Sequence, residues 1–110
     1  MMFEDLTERI IGCSIEVHRE LGPGLLESVY KAALGVEFSS HGISFEAERQ
    51  LPVVYKSKSI GLFRMDLVVD DTVVVELKSC ERHDPVFEAQ LLSYMKLGGY
   101  KIGSILTRSC

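Results

Sequence analysis

Ile60-Gly-Leu-Phe-Arg-Met-Asp66-Leu-Val-Val-Asp70-Asp71-Thr-Val-Val-Val-Glu76-Leu-Lys78-Ser79 is the stretch on which the fold of this chain turns. Ile60 to Val69 and Thr72 to Ser79 are β-branched and apolar, and Asp70-Asp71 between them is a turn signal, so the stretch predicts a hairpin. Glu76 and Lys78 share one face of the second strand with Val74, while Val73, Val75 and Leu77 take the other. A Glu and a Lys two apart in an apolar strand are costly to bury unless they are paired or bound to something. Whether Asp66 joins them depends on register. A strict two-residue loop would pair Val69 with Thr72 and put Asp66 opposite Val75, on the wrong face. A shared face requires a connection of odd length or a bulge, and Asp70-Asp71 lacks the Gly that favours the tight turn.

Given that register, two carboxylates side by side suit Mg²⁺, which prefers hard oxygen ligands, with the backbone carbonyl of Leu77 as a further donor. Such an ion would polarise a phosphate and lower the pKa of water, and Lys78 would orient that water or offset growing charge. The same three residues also fit an ordinary cross-strand salt bridge on a solvated sheet face.

Outward from the hairpin, Phe45 to Tyr55 alternates through Phe45, Ala47, Leu51, Val53 and Tyr55, interrupted by Arg49, and reads as another strand. Pro52 cannot donate to a ladder, so it places this strand at an edge or a bulge; Lys56-Ser57-Lys58-Ser59 is a polar turn. On the other side, Asp84-Pro85 starts a helix, Asp capping free amides and Pro suiting the first helical position. It runs to about Leu97 and ends at Gly98-Gly99, and Lys101 to Thr107 makes a last strand. Near the N-terminus, Leu6, Ile10, Cys13, Val17 and Leu21 recur every three or four residues, a helix that Gly22-Pro23-Gly24 stops. A second helix, from about Leu25 to Ser39, carries Leu26, Val29, Tyr30, Ala33, Leu34 and Phe38 on a broad face, and His41-Gly42 ends it. The order α–α–β–β–β–α–β predicts a single α/β domain over residues 1–110, with a small mixed sheet flanked by helices.

The 110 residues leave room for one core. No apolar run approaches the ~20 residues needed to span a bilayer. The first ten residues, MMFEDLTERI, are acidic and lack the pattern of a secretory signal, so a cytoplasmic location is expected. Cys13, Cys80 and Cys110 fit neither a disulfide framework nor a paired zinc motif. The net charge of −4 opposes a general electrostatic grip on nucleic acid. It is uneven: residues 1–50 carry nine acids against four bases, residues 51–110 seven against eight. Acids that hold a cation would leave the second half positive.

Two helices add polar groups. Glu27 lies in line with Tyr30, Leu34 and Phe38 and is expected to face protein, where a carboxylate needs a cation or donor; the alternative is an edge residue reaching solvent. Gln90 and Tyr94, four apart within the stripe of Phe87 and Leu91, are expected to face inward, where an amide satisfies something specific.

The run Gly24-Leu-Leu-Glu27-Ser-Val-Tyr30, preceded by Val17-His18-Arg19-Glu20-Leu21-Gly22-Pro23, resembles the signature of the GxxExxY proteins. The resemblance continues through Leu51-Pro-Val-Val-Tyr55, Asp66-Leu-Val-Val, Val75-Glu76-Leu77-Lys78 and Glu88-Ala-Gln90-Leu-Leu-Ser-Tyr94, nearly the whole chain. That family is placed in the PD-(D/E)XK nuclease superfamily, so the resemblance implies a restriction-endonuclease-like core. It implies Glu27 as the core-helix acid, Asp66 as the metal aspartate, and Glu76 and Lys78 as the E-x-K pair. Gln90 and Tyr94 resemble a Q-x-x-x-Y element that positions phosphate or orders the site, and His18 falls at the family's His position, which would border the cleft; by composition alone such a residue is more often a helix-surface histidine. The implied metal is Mg²⁺ or Mn²⁺, held by Asp66, Glu76 and the Leu77 carbonyl, with Glu27 a further candidate. The implied function is a nuclease acting on DNA in preference to RNA; a catalytically silent module binding nucleic acid or protein is the alternative. The chain stops at Thr107-Arg-Ser-Cys110, where the family usually continues, an edge at which a homodimer could pair.

Overall fold

Leu6, Ile10, Cys13 and Val17 form one buried stripe along helix α1 (Phe3–Leu21), as their spacing predicts. In the computed structural model, residues 3–22, 26–78, 85–100 and 102–107 are described. Leu21 departs from the expected stripe: at the last turn of α1 it is 49% exposed. Helix α2 (Glu27–Ser40) buries Tyr30, Leu34 and Phe38 completely. Its apolar face is narrower than expected, because Leu26 lies outside the helix in an extended conformation and Val29 faces out. His41 and Gly42 end α2, Gly42 at a φ of 68° that suits glycine.

The strands β1 (Phe45–Tyr55), β2 (Lys58–Val69), β3 (Val73–Lys78) and β4 (Ile102–Thr107) form one sheet in the order β1-β2-β3-β4. β1 is an edge, as Pro52 requires, and its register slips between Val53 and Val54. The β1–β2 turn is tighter than its four polar residues suggested: Tyr55 pairs with Lys58, and Lys56 and Ser57 take positive φ. Helix α3 (Pro85–Gly98) crosses over to bring β4 parallel to β3. The expected cap at Asp84 lies outside the described residues.

Helices cover both faces. On one, the α1 and α2 stripes pack on Leu67, Val69, Val73, Val75 and Leu77. On the other, Leu91 and Tyr94 of α3 pack on Met65, Val68 and Val74. The interruption at Arg49 is explained by its partners: the guanidinium bonds Glu46, Asp71 and the Tyr100 hydroxyl, tying β1 to the β2–β3 turn and to the end of α3. No helix among the described residues is long and apolar enough to cross a membrane.

Close packing of α3 on β4 depends on Gly103, where an added Cβ would meet Met95 Sδ at 2.7 Å and Leu91 at 2.9 Å. At Gly61 on β2 a Cβ would meet nothing within 4 Å. Urea unfolding should therefore show Gly103→Ala destabilised by about 1–3 kcal/mol, the usual cost of overpacking. Gly61→Ala should lie within about 0.5 kcal/mol of the parent; equal effects at the two sites would contradict the packing.

Candidate functional site

The hairpin satisfies the odd-parity condition. Val69 pairs with Val73, Val68 with Val74 and Leu67 with Val75, so Asp70-Asp71-Thr72 is a three-residue connection. Asp70 and Asp71 both take positive φ, 52° and 54°, and the Thr72 N–H bonds the Val69 carbonyl at 3.0 Å. The turn thus closes tightly without glycine, since Asp tolerates this region, and Thr72 supplies the extra residue that corrects the parity.

Beyond Leu67 and Val75 the two strands stop pairing with each other. β2 continues against β1 alone and β3 against β4 alone. Asp66 and Glu76 stand at this fork, and each carboxylate takes a backbone amide of the opposite strand. The Asp66 N–H donates to Glu76 Oε2 at 2.8 Å, and the Leu77 N–H donates to Asp66 Oδ2 at 2.8 Å. Side chains replace the missing rungs, so the fork opens without orphaning these buried amides.

The strand alternation also breaks at Asp66. Met65 packs beneath α3 and Leu67 beneath α1 and α2, although residues two apart in a regular strand share a face. Across from Asp66, between the pairs Ala47–Leu67 and Arg49–Met65, Glu48 has a φ of 55° and the β1–β2 ladder is interrupted. This irregularity lets Asp66 reach both ways. While Oδ2 faces β3, Oδ1 lies 3.6 Å from Lys31 Nζ on α2, and the same ammonium donates to Glu48 at 3.1 Å.

Lys31 and Glu48 are the residues that sequence reasoning missed. The available signal was the four-residue spacing from Glu27 to Lys31, which puts both on one side of α2. Burial works against the Lys31 ammonium, but its bond to Glu48 and the charges of Asp66, Glu48 and Glu27 prevail and raise its pKa. Glu27 itself opens α2 and is half-buried rather than enclosed, near enough to act on both Lys31 and Glu76.

Glu76 is 4% exposed. Burial first, with the charges of Asp66 and Glu27 added, pushes its pKa up to about 7 against the bond from Asp66 and the charge of Lys78. Lys78 Nζ lies 4.0 Å from Glu76 Oε1 and 4.7 Å from the centroid of the Phe87 ring, a cation–π contact from the first turn of α3. Tyr94 is buried against Phe63 with ring centroids 5.0 Å apart, and burial, Glu76 and Asp66 raise its pKa. Gln90 does not face inward as expected; it is exposed. Phe87, Leu91 and Tyr94 turn toward the sheet, and Gln90 lies at the flank of that stripe, where it meets solvent. His18 packs edge-on against Tyr30, centroids 5.2 Å apart, beside the first turns of α2.

The donor set around the fork is of hard oxygens, and Glu76 is buried with Lys78 4.0 Å away. Asp66 and Glu76 therefore fit a divalent cation. The metal-free protein should carry the cost of burying the Glu76 carboxylate. Between about pH 4.5 and 7 the fold holds a proton on Glu76 that the unfolded chain has lost, so stability falls as pH rises through that window. In chelator, Glu76→Gln should gain on the parent between pH 5 and pH 8 by at most about 3 kcal/mol in urea unfolding. A difference independent of pH would contradict the burial of this carboxylate.

A model of the PD-(D/E)XK nuclease superfamily matches residues 4–109. No curated protein and no solved structure matches the chain. Among the described residues, the three helices and the four-stranded mixed sheet agree with the restriction-endonuclease-like fold. With that match covering nearly its whole length, the chain belongs to the PD-(D/E)XK nuclease superfamily.

Proposed function

We propose that this domain is a Mg²⁺- or Mn²⁺-dependent phosphodiesterase acting on nucleic acid, DNA in preference to RNA. The observation that carries the proposal is the fork itself: two carboxylates pinned by opposing amides, with Lys78 4.0 Å from one of them. Asp66 and Glu76, with the Leu77 carbonyl, are the ligands, and Glu27 is near enough to serve as a further one. When bound, the ion supplies Lewis acidity, neutralising phosphate charge and lowering the pKa of water.

The chain's own groups do the rest. Lys78, steadied by the Phe87 ring, is placed to orient the attacking water or to offset charge on the phosphate. Tyr94 bounds the carboxylates from the α3 side and orders them. Gln90, exposed one turn away, is free to meet the backbone of an incoming strand. His18 borders the start of α2 through Tyr30. The GxxExxY assignment, carried by Gly24, Glu27 and Tyr30, is part of the same reading.

A second reading, a catalytically silent binding module, is favoured by one observation. Lys31 already supplies Asp66 with a cation at 3.6 Å, a compensation that needs no metal.

Cleavage of single-stranded, duplex, flapped and branched DNA and of RNA, with Mg²⁺, Mn²⁺ or chelator, tests the first reading. The parent should cleave at least one DNA substrate only with metal. Asp66→Ala and Lys78→Ala should each lose about 100-fold or more, the cost of removing one charge-stabilising group. A parent as inert as Lys78→Ala throughout, together with no Mn²⁺ binding at millimolar levels by calorimetry, would establish the silent module instead.

A further inference from the structure

At the other end of α2 lies a second cluster that the nuclease reading does not use. α2 has 14 residues, so its C-terminal end is about 20 Å along the axis from Glu27. There Cys13 from α1 meets Glu37 and the cap residue His41, in a surface cavity of about 430 Å³ that Arg9, Gly12 and Glu16 complete. Cys13 Sγ is 3.9 Å from His41 Nδ1, which is 3.8 Å from Glu37 Oε1, and one ligating atom from each residue lies within 4.8 Å of the other two. Tetrahedral zinc has bonds of about 2.0–2.3 Å, so its ligand atoms stand a little closer than this, and a small contraction would suffice.

We infer that Cys13, Glu37 and His41 form a Zn²⁺ site that clasps α1 to the end of α2, with a fourth position open to the cavity. The donor set argues for this ion. One thiolate, one imidazole and one carboxylate suit borderline-soft zinc, whereas Mg²⁺ takes oxygen alone. The place argues for a cation as well, because α2 points its carbonyl end at the cluster. Arg9, the one guanidinium among the described residues of the cavity wall, is turned to the His41 carbonyl, and Glu16 is paired with Arg19 at 3.4 Å, which leaves Glu37 to face the cluster.

The metal-free geometry shows what binding must displace. His41 Nδ1 lies 2.8 Å from the Glu37 carbonyl, so the ligating nitrogen is freed by moving its proton to Nε2 or by turning the exposed ring. Burial, together with the Glu37 charge, favours the protonated Cys13 thiol, so that proton also leaves when the metal enters. Both steps involve side chains already at the cavity and require no movement of the helices.

Co²⁺ added to the chelator-stripped full chain, with Mg²⁺ in excess, tests the site by its spectrum. One equivalent should develop a thiolate-to-cobalt charge-transfer band that Zn²⁺ abolishes. The band should survive Cys80→Ser with Cys110→Ser and vanish in Cys13→Ser. His41→Ala and Glu37→Gln, at solvent-accessible positions, should each weaken Co²⁺ binding at least about tenfold without loss of fold. If Cys13→Ser does not fold, those two variants decide. A parent without the band, or a band unmoved by both His41→Ala and Glu37→Gln, overturns the site. The result is independent of the carboxylate fork, which has no sulfur ligand.

Discussion

Two backbone amides and two carboxylates, exchanged across the point where β2 leaves β3, hold the centre of this molecule together. A sheet that splits must leave N–H groups without their ladder partners, and in a buried place each costs on the order of 1–3 kcal/mol. Asp66 and Glu76 remove that cost by accepting the amides of Leu77 and of Asp66 itself. The exchange also fixes the carboxylates, since moving either one would abandon an amide. Strand separation and acid placement are therefore one feature, and the helices on both faces are arranged around it.

The consequence is a gathering of acids around one buried carboxylate. Asp66, Glu48 and Glu27, from two strands and a helix, surround the buried Glu76, with Lys31 and Lys78 close by and Arg64 acting on the exposed Glu48. Lys31 sits between Asp66 and Glu48, leaving Lys78 to serve Glu76 at 4.0 Å. Burial first, and then the neighbouring acids, raises the pKa of Glu76, and a divalent cation is a group whose charge would oppose both. The same accounting bears on the acidity of the chain: a cation held at the fork would offset part of the net charge of −4 on the surface a phosphate would meet.

The helix layers do different work. α1 and α2 bring a full apolar stripe to the sheet and carry Glu27 and Lys31 to its rim. α3 covers the opposite face through Leu91 and Tyr94, with Gln90 exposed at the flank of that stripe. Its first turn sets Phe87 against Lys78.

The hydrophobic periods of the chain were enough for the element order and most of the core, because those depend on which residues leave water; the edge position of β1 followed from Pro52, which has no N–H to donate. Asp66, Glu76 and Lys78 were legible as well, since charged residues inside apolar strands have few reasons to be there. The parity of the hairpin was visible only as a condition. Asp70 and Asp71 take the positive φ of a tight turn, and it is Thr72 that sets the register, a choice made by the pairing of whole strands. Lys31 and Glu48 were not legible, because their meeting with Asp66 needs the broken alternation at Asp66 and the distant turn at Glu48. Gln90 failed for the complementary reason: helical spacing says which residues share a broad face, but only the docking of the helix decides which of them is at its centre and which at its exposed flank.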